Sequence, residues 1–342
     1  MLAKAKSFYI RFRYPIFGIG TLLVLLFPFL FPQESVLTIA VRVLIYMILA
    51  SGLNIANGYI GLFNVGSAGF FCIGAYCTAL LTTRLNMPFL PTILISVALT
   101  GIIGALFAYP TRKFAGFYFS ITTMGFSEII RLIALNWVSL TRGSNGIHSI
   151  PRPEIFGFLL DSSTKYYYMI LIILILVLFC IYRIMKSRVG RAWLSIRENS
   201  DAARSLGVPI TNYKALNFMV MGAILGLGGC LMAYYYRYIS PEMFQIDNGH
   251  QVLAMVNLGG LGTIAGPLVG ATILSVAMET LRSAAEYRMV VYAVIVLLMM
   301  WLRPQGIVGA SNTVMAQSSV FAMKLKKHKK KAITANAGGS KE

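Results

Sequence analysis

Apolar residues run along this chain in long unbroken blocks, neither alternating as in a half-buried strand nor recurring as the single stripe of a surface helix. Blocks occupy residues 16–31, 36–56, 60–81, 89–109, 117–135, 167–185, 213–236, 267–281 and 289–302, with a shorter one around 252–262. Most lie near the roughly 20 residues that cross a bilayer as helix. Backbone in lipid must satisfy its own hydrogen bonds, which leaves helices or closed barrels. Continuous runs without period-two alternation select helices. The expected fold is therefore all-α and polytopic, with about ten transmembrane helices and eight as the lower count.

One passage breaks the pattern. In "GRAWLSIRENSDAARSLGVPITNYKAL", residues 190–216, Leu194, Ile196, Ala202, Ala203 and Leu206 interleave with Arg191, Arg197, Glu198, Asp201 and Arg204. That spacing predicts a short amphipathic helix or helix pair, ended by Gly207 and Pro209. Such an element between two spans either lies on the bilayer surface or docks onto a separate soluble protein. Two other stretches, residues 57–76 and 256–271, are dense in glycine and small residues and share a Gly-x-x-Gly step, Gly58/Gly61 and Gly259/Gly262. Each glycine costs a helix roughly 1 kcal/mol relative to alanine. The cost is tolerated where helices pack closely or broken backbone lines a cavity, and matching glycine-broken segments in two halves point to a transport site between repeats.

Composition supports the membrane reading: 57% of residues are hydrophobic and 12% charged, against about 25% charged in soluble domains. The formal charge of +19 at first suggests nucleic acid, but the excess is spread over loops. Loop 183–214 holds seven basic and two acidic residues, and loop 136–166 three and two. Basic loops stay in the cytoplasm, so the N-terminus, the 190–216 passage and the Lys-rich tail are expected inside. The tail, "KLKKHKKK" at 324–331, reads as a solvated end near anionic membrane lipids, with no nucleic-acid partner. Residues 31–33 offer no small-residue cleavage site after the basic start, so the first apolar block is expected as a retained helix. The organisation expected is a basic N-terminus (1–15), a membrane domain (16–309) carrying a cytoplasmic loop (186–212), and a basic, disordered tail (310–342).

Catalytic signals are lacking. His148, His250 and His328 are far apart, and no nucleophile motif or phosphate-cradling GxxxxGK[ST] is present. "GGLGTIAG", 259–266, sits among apolar spans with no strand before it. Cys72, Cys77, Cys180 and Cys230 fall in apolar segments without ligand spacing and read as small buried hydrophobes; no metal or other cofactor is expected. Glu128 and Arg131 lie three apart within an apolar block, adjacent on one helix face. Ionisable residues at membrane depth are expensive and tend to face a bundle interior or a water route. On the same ground Asn54, Asn64, Glu128, Arg131 and Asn257 are the candidate residues of a translocation pathway.

Five quoted passages carry a resemblance. "DAARSLG" (201–207) resembles the EAA loop of ABC-transporter permeases, with Asp201 where Glu is usual. "GLNIANGYIGLFNVGSAGFFCIGAY", "FYFSITTMGFSEIIRLIALNWVSLTRGSNGI", "LGGLGTIAGPLVGA" and "LRPQGIVG" stand in the order found in branched-chain amino acid (LivM-type) permeases. The resemblance runs from about residue 44 to 309. It implies a non-enzymatic importer subunit in a bacterial inner membrane, with both termini cytoplasmic. Implied partners are a second homologous permease in a heterodimer, two cytoplasmic ABC ATPases, and a periplasmic or lipid-anchored solute-binding protein. It casts residues 201–207 as the ATPase-coupling helix, with Arg197, Asp201, Ala202, Ala203 and Gly207 as coupling residues. Branched-chain amino acids are the implied solutes, with urea, short amides or another small solute as the alternative within the family. An ion-coupled secondary transporter is the distant alternative.

Overall fold

The structure is a computed structural model that describes residues 26–280, apart from 32, 113, 115, 156 and 157, and beyond them residues 293, 294, 297, 301 and 306–308. The expected first span falls mostly outside this range, with residues 26–30 helical, and the expected last span is described only at isolated helical positions. The basic N-terminus 1–15 and the tail 310–342 lie outside the described residues.

Among the described residues the helices are α1 (Glu34–Asn54), α2 (Ser67–Leu85), α3 (Phe89–Thr111), α4 (Gly116–Asn136), the single turn α5 (Val138–Thr141), α6 (Ser163–Lys186), α7 (Arg188–Glu198), α8 (Ser200–Ser205), α9 (Ile210–Tyr236), α10 (Ile246–Gly259) and α11 (Ala265–Thr280). Four two-residue strands, β1 (Ile147–His148), β2 (Glu154–Ile155), β3 (Phe158–Leu159) and β4 (Tyr238–Ile239), only fasten loops. Among the described residues, six helical stretches are long and apolar enough to cross a membrane: Glu34–Ile60, Ser67–Leu85, Phe89–Thr111, Gly116–Asn136, Ser163–Lys186 and Ile210–Tyr236. The protein is an all-α polytopic membrane protein.

Two expected boundaries are corrected. The span expected at 36–56 continues as a π-helix, Ile55–Ile60, and the next helix begins at Ser67, not at residue 60. Gly61 ends the helix in the left-handed region, φ 79°, where glycine alone carries no steric cost. The six non-helical residues that follow are served by side chains. Asn57 exchanges two hydrogen bonds with the backbone of Asn64 (3.0 and 3.1 Å), Thr123 accepts from Val65 N–H, and Ser120 donates to Phe63 C=O. The block expected around 252–262 is α10, which at about 1.5 Å per residue is too short for a ~30 Å hydrocarbon core.

Helix α9 is the centre of the bundle and packs against α1, α2 and α3. Its "MGAILGLGG" face permits the approach: a Cβ on Gly226 would come within 2.6 Å of Thr100 Cβ, and one on Gly222 within 2.7 Å of Thr100 C=O. Without a hydrophobic force between helices in lipid, such small-residue contacts supply the packing. Phe70, Phe107, Phe126 and Phe218 fill the space between these helices, with Phe107 and Phe126 ring centroids 4.5 Å apart. On the outer surface α3, α4 and α6 expose Leu94, Leu106, Phe117, Ile129, Ile172 and Phe179, as lipid- or partner-facing helices do. Cys72 and Cys230 are buried as expected, whereas Cys180 lies exposed on that outer face of α6.

The loops sort onto two sides. Strand β1 pairs antiparallel with β4, Ile147 opposite Ile239, and Arg237 and Ile150 exchange backbone and side-chain hydrogen bonds, so loops 137–162 and 237–245 share one side. On the other side residues 306–308 return to the end of α10, Ile307 and Val308 donating to Leu258 and Gly259 C=O at 2.9 Å.

Candidate functional site

The polar passage folds as the helix pair α7–α8. Ser187 caps α7 by accepting from Val189 N–H at 3.1 Å. A side chain on Gly190 would come within 2.5 Å of Met185 Cα, so glycine is what lets α7 turn sharply off α6. The apolar face, Ala192, Trp193 and Ile196, is buried, and Trp193 donates its indole N–H to Tyr213 C=O at 2.9 Å, holding α7 to the start of α9. Between the helices Asn199 adopts an extended backbone, and its Oδ1 accepts from Asp201 and Ala202 N–H at 2.9 and 3.0 Å. This satisfies two of the amides that a helix leaves free at its start. Asp201 in the first turn also complements the helix dipole.

The two helices present different surfaces. Ala203 is only 2% exposed and anchors α8, while Asp201, Ala202, Arg204 and Gly207 are exposed and Leu206 at the tip is 83% exposed. Gly207 has φ 82°, and nothing lies within 4 Å of where its Cβ would be. Its glycine is therefore required by the backbone, and the space beside it is open. Pro209 does more than stop a helix, since it is the N-cap residue from which α9 begins.

Arg197 turns the other way. Its Nη1 donates to Gly58 C=O within the π-helix, and burial pushes the guanidinium below its ordinary pKa, with Glu198 beside it opposing that. The glycine breaks that were far apart in sequence meet there. Asn54, 1% exposed, donates from Nδ2 to Thr263 C=O at 2.9 Å and accepts Gly262 N–H at 2.9 Å. Gly262 is left-handed like Gly61, φ 76°. A Cβ on Gly61 would lie 2.9 Å from Arg197 Cγ, and one on Gly262 2.6 Å from Arg197 Nη1.

The candidate pathway residues separate into two groups. Asn64 accepts Gly66 N–H at 2.8 Å and points Nδ2 at Met221 sulfur, so with Asn54 it is committed to the breaks. Asn257, one turn before the second break, keeps its Oδ1 buried without a hydrogen-bond partner among the described residues. Glu128 and Arg131 pair along α4, Arg131 Nε 3.0 Å from both carboxylate oxygens, on a face that also exposes Ile129 and Leu132. Sequence reasoning missed two contributors. Leu206 was read only as part of the apolar rhythm, and Asn217, which donates to Ile55 C=O at 3.0 Å, sits amid an apolar run that hid its role. Asn57 stood out as polar in the first glycine-dense stretch but was left out of the pathway set. An ion pair joining α1 to α11, Arg42 to Glu279 at 2.6 Å, was likewise invisible across so long a separation.

Comparison with known proteins gives this architecture a family. Residues 35–300 match the profile of the branched-chain amino acid transport system / permease component family, which takes in both glycine breaks and the α7–α8 pair. Over a 303-residue alignment the chain is 36% identical to the high-affinity branched-chain amino acid transport system permease protein LivM of Salmonella typhimurium, covering 82% of this chain and 71% of that one. Its Escherichia coli K12 counterpart is 35% identical over the same shares. The LivH permease protein of Salmonella typhimurium is 29% identical, over 77% of this chain and 91% of that one. No solved structure matches. A multi-pass helical bundle with broken helices and an exposed polar helix pair, matched over most of its length to transport permeases, leads to one assignment: the chain belongs to the permease-component family of branched-chain amino acid transport systems.

Proposed function

We propose that this chain is one of two membrane-spanning permease subunits in an ATP-driven importer of leucine, isoleucine and valine, working in a bacterial cytoplasmic membrane with both termini inside. The observation that carries the reading is the α7–α8 pair, whose buried face is fastened to α9 while Asp201, Ala202, Leu206 and Gly207 stand exposed at its tip. That tip lies in the loop richest in Lys and Arg, the cytoplasmic side by the positive-inside rule. An exposed leucine beside a capped polar turn suits insertion into a groove of a cytoplasmic ATPase. The partner set is a second homologous permease, two such ATPases, and a solute-binding protein delivering to the opposite face. Similarity to both LivM and LivH proteins supports pairing between homologous permeases.

Along the route, Asn257 offers a buried side-chain carbonyl oxygen without a hydrogen-bond partner among the described residues. The Glu128–Arg131 pair is partly buried on α4, and because bare charge in lipid would be costly, we place it beside the solute route. Asn54 and Asn64 hold the breaks that bound the route. The test is uptake of labelled leucine into proteoliposomes containing the full complex, with and without ATP. ATP-dependent accumulation competed by isoleucine and valine is expected. Stimulated ATP hydrolysis without leucine uptake, or competition by urea or amides, would discard the solute assignment.

A further inference from the structure

We infer that Arg197 is a positioning residue that carries movement of the α7–α8 pair to the two glycine breaks, so that displacement at the cytoplasmic tip is felt at once by both halves of the bundle. The inference rests on the reading of α8 as the ATPase contact. It deepens that reading by naming the side chain through which the contact reaches the membrane core.

The physical case begins with rigidity. Helix α7 runs into α8 without slack: Asn199 donates its N–H to Ser195 C=O at 3.1 Å while its side chain caps α8, so the tip and the base of Arg197 move as one body. From that base the Arg197 side chain leaves the exposed surface and reaches Gly58, 139 residues away in sequence. Gly58 lies in a π-helical turn. Such turns are rare inside helices and frequently occur at functional sites.

The surroundings are shaped for this side chain. Gly61 and Gly262 flank it, each left-handed and each without room for a Cβ beside the arginine. The two breaks are themselves tied by Asn54, which grips Gly262 N–H and Thr263 C=O while standing one turn before Gly58. Pulling or releasing Gly58 C=O therefore acts on both breaks through hydrogen bonds already in place. A guanidinium suits the task, since its fork can keep a donor on a shifting acceptor while its stem fills the slot between glycines. Trp193, in the middle of α7 and one turn before Arg197, fixes the helix to Tyr213 C=O, which gives Arg197 a held point to swing about.

The test uses the reconstituted complex of both permeases, ATPases and binding protein, comparing wild type with R197A, R197Q and R197K. Hydrogen exchange is followed in residues 200–206, 55–66 and 258–264, before and after trapping with ATP and vanadate, together with leucine taken up per ATP hydrolysed. In wild type all three segments are expected to respond to trapping. In R197A the response at 200–206 persists, the responses at 55–66 and 258–264 disappear, and uptake per ATP falls by at least about fivefold, the lower end of usual coupling effects. R197K, which keeps a charged donor, restores most of the response; R197Q, neutral and shorter, restores less, and these two carry the comparison if R197A does not assemble. Breaks that respond to nucleotide in R197A or R197Q as they do in wild type would overturn the inference. So would parallel loss of ATP hydrolysis and uptake at an unchanged ratio, the mark of an arginine that only fastens the loop. Failure of leucine uptake in wild type would strike the solute assignment alone, because the exchange readout needs no solute.

Discussion

Replacing Asn54 tests whether the two glycine breaks are held together by a side chain. Asn54 is 1% exposed and makes two hydrogen bonds to the second break, both 2.9 Å, one accepted from Gly262 N–H and one donated to Thr263 C=O. In N54A both partly buried backbone groups lose their partner, and an orphaned group costs up to about 1–3 kcal/mol when fully buried. Taking about 2 kcal/mol as the share that falls on local opening of the break, Gly262 N–H should exchange roughly 30-fold faster. N54D separates the two bonds: its carboxylate still accepts from Gly262 N–H but cannot donate to Thr263. The expected result is Gly262 unprotected in N54A and largely protected in N54D, measured by hydrogen exchange with mass spectrometry on the purified chain in detergent. Unchanged Gly262 protection in N54A would refute the reasoning. A raised KM for leucine with normal protection would instead mark Asn54 as a residue of the solute route.

Other outcomes follow from the same geometry. L206D should abolish co-purification of the ATPases while leaving the permease's thermal unfolding in detergent unchanged, because Leu206 projects from the fold; retained binding would remove it from the contact. G226V should fail to accumulate in the membrane, since the added side chain meets Thr100 and overpacking costs about 1–3 kcal/mol or more, whereas G125A, with nothing within 4 Å of its Cβ, should accumulate normally. E128Q should assemble but lower leucine uptake severalfold; an unchanged rate would retire the pair from the route. W193F should lose one hydrogen bond, to Tyr213 C=O, and about 1 kcal/mol of stability, visible as a modest fall in the unfolding temperature.

Much of the candidate site could be read in advance, and unevenly. The α7–α8 pair was legible because its charges stand out against apolar neighbours and because Gly207 and Pro209 punctuate it. Both glycine breaks were legible as breaks, since glycine density lowers helix stability regardless of context. Their boundaries were not: the helix before Gly61 persists as a π-turn to Ile60 because Asn217 and Arg197 serve its carbonyls from distant elements. Arg197 itself was grouped with the outward coupling residues on its neighbours alone, and the fold turns it inward. A helical period assigns a side to a residue only when the packing partner is known.

The chain's own order of residues determined that it spans a membrane, roughly where the described spans lie, which loop carries the positive charge, and which segment cannot remain in lipid. These follow from local free energies: transfer of apolar side chains, the cost of exposed backbone, and helix propensity, each additive over neighbours in sequence. Only the tertiary structure decided that Asn54, Gly58, Gly61, Arg197, Gly262 and Thr263 form one cluster, and that Leu206 rather than Arg197 stands at the exposed tip. Those outcomes depend on hydrogen bonds between groups 139 to 209 residues apart. Such bonds form only because α9's glycines let α1, α2 and α3 close around it, and no local pattern along the chain encodes that approach.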